Sequence, residues 1–180
     1  MNPDIELSPI AQEVIDSISL LDCDKVTLST YGFLGWVAPH LYFGEFGDGE
    51  VFPALKNWSW KADWHVDLKL DDSEFDSWLV FGSGPDNQPI IIKPFSSAIY
   101  LLSSSLELKV LNSNIKNLID TSSAFADMIS DAIRLDSDSF TAKRIPVKLV
   151  DTFIAKFKII EGASTPSSIW VKWANERTYS

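Results

Sequence analysis

The chain has 180 residues, 46% of them apolar and 22% charged, enough to bury a core and without the bias of a disordered or fibrous polypeptide. Its formal net charge is −10, whereas a protein that grips nucleic acid through phosphates needs a basic face. The single cysteine, Cys23, cannot close an internal disulfide, no run reaches the roughly 18 apolar residues of a membrane span, and the first residues lack the pattern of a secretory signal. The expected setting is the cytoplasm, with neither nucleic acid nor membrane as a partner.

A first helix is expected over 8–21. Ser8 offers a cap, Pro9 stands where a missing N–H costs nothing, and Ile10, Val14, Ile18 and Leu21 recur at helical spacing. Residues 22–25 read as a polar break. Short strand-like pieces follow at 26–30, 33–37 and 41–46, interrupted by glycines at 32, 35, 44, 47 and 49. Residues 51–60, with Pro53, Trp58 and Trp60, read as a packed loop.

The pattern sharpens at residue 64. Trp64, Val66, Leu68 and Leu70 alternate with His65, Asp67 and Lys69, the mark of a half-buried strand. An acidic connection at 71–76 leads to a second strand at 77–82. Gly84, Pro85, Asp86 and Asn87 form a turn before a third strand at 89–93. A turn at 94–97 precedes a fourth strand at 98–102, and a fifth occupies 107–111. Short links between successive strands imply an antiparallel meander. Asn112 and Ser113 then offer caps for a long helix whose apolar set is Ile115, Leu118, Ile119, Phe125, Met128, Ile129 and Ile133. That face should pack across the sheet, which makes the expected class α+β.

Beyond residue 139 the charge changes sign. Residues 140–180 hold seven Lys or Arg against three acids, a balance of +4, so residues 1–139 carry −14. A helix is expected over 146–160, with Val147, Val150, Ile154 and Phe157 on one face, then a turn and a short end bearing Trp170 and Trp173. One domain, 1–180, is expected, with 140–180 as a basic helical extension.

No catalytic constellation stands out. His40 and His65 have no second ligand at metal-binding spacing. Cys23 lies between Asp22 and Asp24, which disfavour a thiolate. Gly82-Ser83-Gly84 is only superficially like a hydrolase elbow, because the serine falls between two strands. No catalytic residue, metal or cofactor is therefore assigned. Asp71, Asp72, Glu74 and Asp76 place four acids in six residues with no base, either a solvated loop or a surface that steers a basic partner. Asp86 joins them if its turn shares their face. Trp58 and Trp60 are either core support or contact anchors. These seven are the candidate partner-binding residues.

The stretch DSWLVFGSGPDNQPIIIKPFSSAIYLLSSSLELKVLNSNIKNLIDTSSAFADMI resembles the core of the SUKH superfamily. The matching features are the Trp78 strand, the glycine turn at Gly82 and Gly84, the apolar strand at 89–92, and the pattern at 99–101. The Asn112-Ser113 pair, Leu118 and Phe125 complete them. The best-matched part is about 60–135, and Lys93 and Pro94 stand where the family carries an aspartate. The resemblance implies a central, curved, mostly antiparallel sheet with helices packed on it. It also implies function by binding, since bacterial members neutralise toxins, often nucleases, and fungal relatives regulate cell-wall synthesis. The expected function is that of an immunity protein inhibiting a cognate, basic toxin. A regulatory or scaffold domain of the same fold is the alternative, followed by a small-ligand binder or enzyme with an acidic cleft.

Overall fold

The computed structural model describes residues 7–37, 41–43, 52–58, 77–103, 105, 107–139, 141–162 and 168–178. They form β1 (Leu7–Ser8), α1 (Gln12–Ser17), α2 (Asp22–Tyr31), β2 (Phe33–Leu34), β3 (Trp36–Val37), β4 (Leu41–Phe43) and a 3-10 turn (Leu55–Asn57). Then come β5 (Leu79–Ser83), a second 3-10 turn (Pro85–Asn87), β6 (Pro89–Ile92), β7 (Ile99–Leu102) and β8 (Leu108–Asn112). Three helices close the chain: α3 (Ile115–Leu135), α4 (Val147–Glu161) and α5 (Ile169–Asn175). Strands β3 to β8 lie side by side in chain order, each antiparallel to the next. The class is α+β, a meander with helices packed on it.

The expected strand at 64–70 and its acidic connection lie outside the described residues. The flank of β5 on which that strand was to pair carries β4 instead, through Tyr42↔Ser83 and Phe43↔Gly82, together with a bridge from Ala54 to Leu79. Gly82 permits this approach, because a Cβ there would lie 2.1 Å from the Tyr42 carbonyl oxygen.

The N-terminal third departs most from expectation. Ser8 caps no helix; it pairs with Phe33 in a small β1–β2 ladder, and α1 begins only at Gln12. At Ile18 the chain turns extended, which sends Ile18 and Leu20 into the core. Residues 22–25 are not a break but the first turn of α2, and 26–30 are helical. The β-branched Val26, Thr27 and Thr30 favour strand locally, yet Asp24 and Leu28 share one buried face at i,i+4, and that packing decides the state. Gly32 ends α2 at φ +74, with its N–H on the Leu28 carbonyl.

Side chains alternate across the sheet. Phe81, Ile90, Ile92, Ile99, Leu101 and Leu111 share a core with the helices, whereas Val80, Ile91 and Leu102 point the other way and pack with Leu55, Trp58 and Trp78. β6 is buried along its whole length, which accounts for its unbroken apolar run. On the helix side, Phe125 of α3 meets Phe153 of α4 at 5.3 Å and Trp170 of α5 at 5.4 Å between ring centroids. Burying each such side chain contributes about 1.5–3 kcal/mol.

Two expectations about the helices change. The cap of α3 is Asn114, whose side chain accepts the Asn117 N–H at 2.8 Å, and Asn112 belongs to β8. Ile133 is 44% exposed near the end of α3, unlike the rest of its expected apolar set. Val150, Phe153 and Phe157 of α4 and Trp170 of α5 are at most 1% exposed and belong to the principal core.

Candidate functional site

The β8–α3 junction holds a buried polar network. Asn112, 1% exposed, sits where the sheet ends and three helices converge. Its side-chain amide donates to Glu161 Oε1 at 2.6 Å and to Thr121 Oγ1 at 3.1 Å, and its carbonyl accepts the Trp170 indole N–H at 3.0 Å. Glu161 also accepts the Ser113 backbone N–H at 3.1 Å, and Asn117 donates to the Ile160 carbonyl at 3.0 Å. One amide thus ties β8, α3, α4 and α5 together. These partners take both N–H donors of the amide and one lone pair of its carbonyl, so the cluster is a structural lock.

A second buried polar group lies on the N-terminal side of α3. The Asp24 carboxylate, 2% exposed, accepts the Ser97 hydroxyl at 2.7 Å and the Ile115 backbone N–H at 3.3 Å. A carboxylate at a helix N-terminus meets both free N–H groups and the positive end of the helix dipole. Asp24 therefore joins α2 and the β6–β7 turn to the start of α3. Within residues 22–25, expected as a polar break, no local pattern marks Asp24 for this role.

The candidate partner-binding residues fare differently. Asp71, Asp72, Glu74, Asp76 and Trp60 lie outside the described residues, as do His40 and His65. Asp86 falls in the short Pro85–Asn87 turn between β5 and β6. Trp58 is 2% exposed and packs with Trp78, Val80 and Ile91, so its ring serves as core support and not as an open contact. Lys93, where the resemblance carries an acid, sets its ammonium 4.6 Å from the Trp78 ring centre and 5.7 Å from that of Tyr100, a cation–π arrangement at the rim of this second cluster.

Groups suited to chemistry are dispersed among the described residues. Ser83 is 1% exposed within β5, paired between β4 and β6, so it occupies no strand–turn–helix elbow. Cys23 is exposed, with Sγ 4.0 Å from Ser97 Oγ. Among the described residues no three His, Cys, Asp or Glu side chains gather as a metal site, and no helix is long and apolar enough to cross a membrane.

An open groove, of about 590 Å³, runs between the β5–β6 turn and α5. Pro85, Leu101, Ile169 and Trp173 supply apolar walls, while Lys109 and Lys172 supply charge. Each lysine is 3.7 Å from a neighbouring carboxylate, Glu107 or Glu176. Gln88 and Ser168 are the other polar groups lining it, so the groove suits contact with a surface better than acid–base work. No family model matches the chain, and neither a curated protein nor a solved structure matches it.

Proposed function

We propose that this chain is an immunity protein of the SUKH type, which neutralises a cognate toxin by binding it directly. The order of elements from Trp78 to Phe125 carries the proposal. A tryptophan enters β5, a glycine-bearing turn follows, then β6, a second turn, β7, β8, and a residue pair at Asn112-Ser113 that leads into an amphipathic helix. That is the order on which the resemblance rests, and it supports the reading by analogy of fold. Charge supports it independently. Residues 1–139 carry −14, which favours rapid encounter with a basic protein such as a nuclease toxin and disfavours acidic bystanders. Such a protein would act in the cytoplasm of the cell that makes the toxin.

Co-expression tests the proposal. The chain, produced together with each toxin-like product encoded beside it, should restore growth and copurify with one of them. Failure to do either with every such product would reject it.

A further inference from the structure

The turn between β6 and β7 presents an unusual residue. Ser96 N–H donates to the Lys93 carbonyl at 3.1 Å, so Pro94 and Phe95 occupy the two corners. Phe95 has φ +55, the left-handed backbone that a type II turn requires at this position and that glycine or asparagine ordinarily supplies. Its ring is 73% exposed. Two unfavourable choices therefore coincide: a bulky side chain on a left-handed backbone, and a large apolar ring in water. Packing within the chain does not explain the ring, since most of the residue's surface meets solvent; a partner seated on it would remove that surface from water.

The turn is also held firmly. Phe95 N–H donates to the Ser19 carbonyl at 3.1 Å, and Ser97 donates to the buried Asp24 carboxylate at 2.7 Å. The backbone that carries the ring is therefore already ordered before binding. The bond to Ser19 sets the turn beside the link between α1 and α2. Ser19 links α1 to α2, and Glu13, Asp16 and Asp22 are exposed on those elements. Of the basic groups nearby, Lys25 donates to the Asp16 carbonyl at 3.2 Å, and Lys93, which opens the turn, sets its ammonium over the Trp78 and Tyr100 rings. Exposed Leu21 and Val26 add apolar surface at the start of α2 and along it.

We propose that Phe95 is the aromatic anchor of this chain's interface with a basic protein, seated in an apolar pocket whose rim carries Lys or Arg. The proposal rests on the immunity function above and names the surface through which it acts. The test uses the full chain and the toxin that wild type copurifies with, in catalytically inactive form. Phe95→Gly should weaken binding about 30-fold or more, the range of an interface hot spot. Its melting temperature should be no lower than that of wild type, because glycine accepts the left-handed backbone. Ile159→Ala, which trims an 83% exposed side chain on α4, should leave binding unchanged.

Each contrary result is distinct. If wild type binds no adjacent toxin, the immunity function fails and this interface with it. If wild type binds and Phe95→Gly binds equally well, the function stands and the anchor is refuted. Equal weakening by Ile159→Ala refutes it too, as does a fall in melting temperature of about 4 °C or more for Phe95→Gly, which would assign the ring to the fold. Concentration-dependent dimers of wild type that vanish in Phe95→Gly would give the ring to self-association and overturn the proposal.

Discussion

Replacing Asn112 with alanine removes the amide that joins β8 to three helices. The Trp170 indole N–H, in a residue 0% exposed, loses its acceptor, and the Thr121 hydroxyl, equally buried, loses its donor. Glu161 loses a 2.6 Å hydrogen bond but keeps the Ser113 N–H. Each buried polar group left unpaired costs about 1–3 kcal/mol, and the lost charge-assisted bond to Glu161 adds about 1 kcal/mol or more. A total of about 3–5 kcal/mol is expected, roughly 10 °C in melting temperature for a chain of this size. Urea unfolding followed by tryptophan fluorescence would measure it, with the midpoint lowered and the slope unchanged. Asn112→Asp sharpens the test. It keeps the acceptor for Trp170 but sets a second carboxylate against Glu161, so one of the two must take up protons more readily in the folded state than when unfolded. Its deficit relative to wild type should therefore be largest near neutral pH and shrink as pH falls towards 5. A loss below about 1 kcal/mol for Asn112→Ala, or a pH-independent deficit for Asn112→Asp, would refute the lock.

Three further outcomes are expected. Asp24→Ala should destabilise by about 2–3 kcal/mol, because the Ile115 N–H and Ser97 hydroxyl lose a buried acceptor, whereas Asp24→Asn should recover part of that in thermal melts. Gly82→Ala should drive a methyl into the Tyr42 carbonyl and part β4 from β5, seen as faster amide hydrogen exchange at 41–43 with β6 and β7 still protected. Neutralising Asp71, Asp72, Glu74 and Asp76 together should slow association with a basic toxin at low salt, with the difference fading as ionic strength rises; an unchanged on-rate would remove these acids from the encounter surface.

The parts legible in the sequence are those in which local pattern and tertiary packing agree. β6, β7 and β8 lie within a residue or so of their expected bounds, because each is an apolar run closed by turn residues. The long helix is equally clear, since Leu118, Phe125 and Met128 repeat at its period. Agreement fails where a distant contact decides. Ser8 looks like a cap but finds Phe33 as a strand partner, and 26–30 look like a strand but follow the buried pair Asp24 and Leu28. Asn112 looks like a cap because its type suits one; only the arrival of Glu161 and Trp170, 49 and 58 residues later, makes it a hub. Likewise, Pro94 announces a turn, but no local signal says that Phe95 will stand exposed on it.

Titration of the purified chain into an inactive form of the neighbouring toxin tests the immunity function most directly. A saturable one-to-one complex is expected, weakening as salt rises and matched by loss of toxin activity in the uninhibited assay. No complex with any neighbouring toxin, each shown to be folded and active before inactivation, would contradict it.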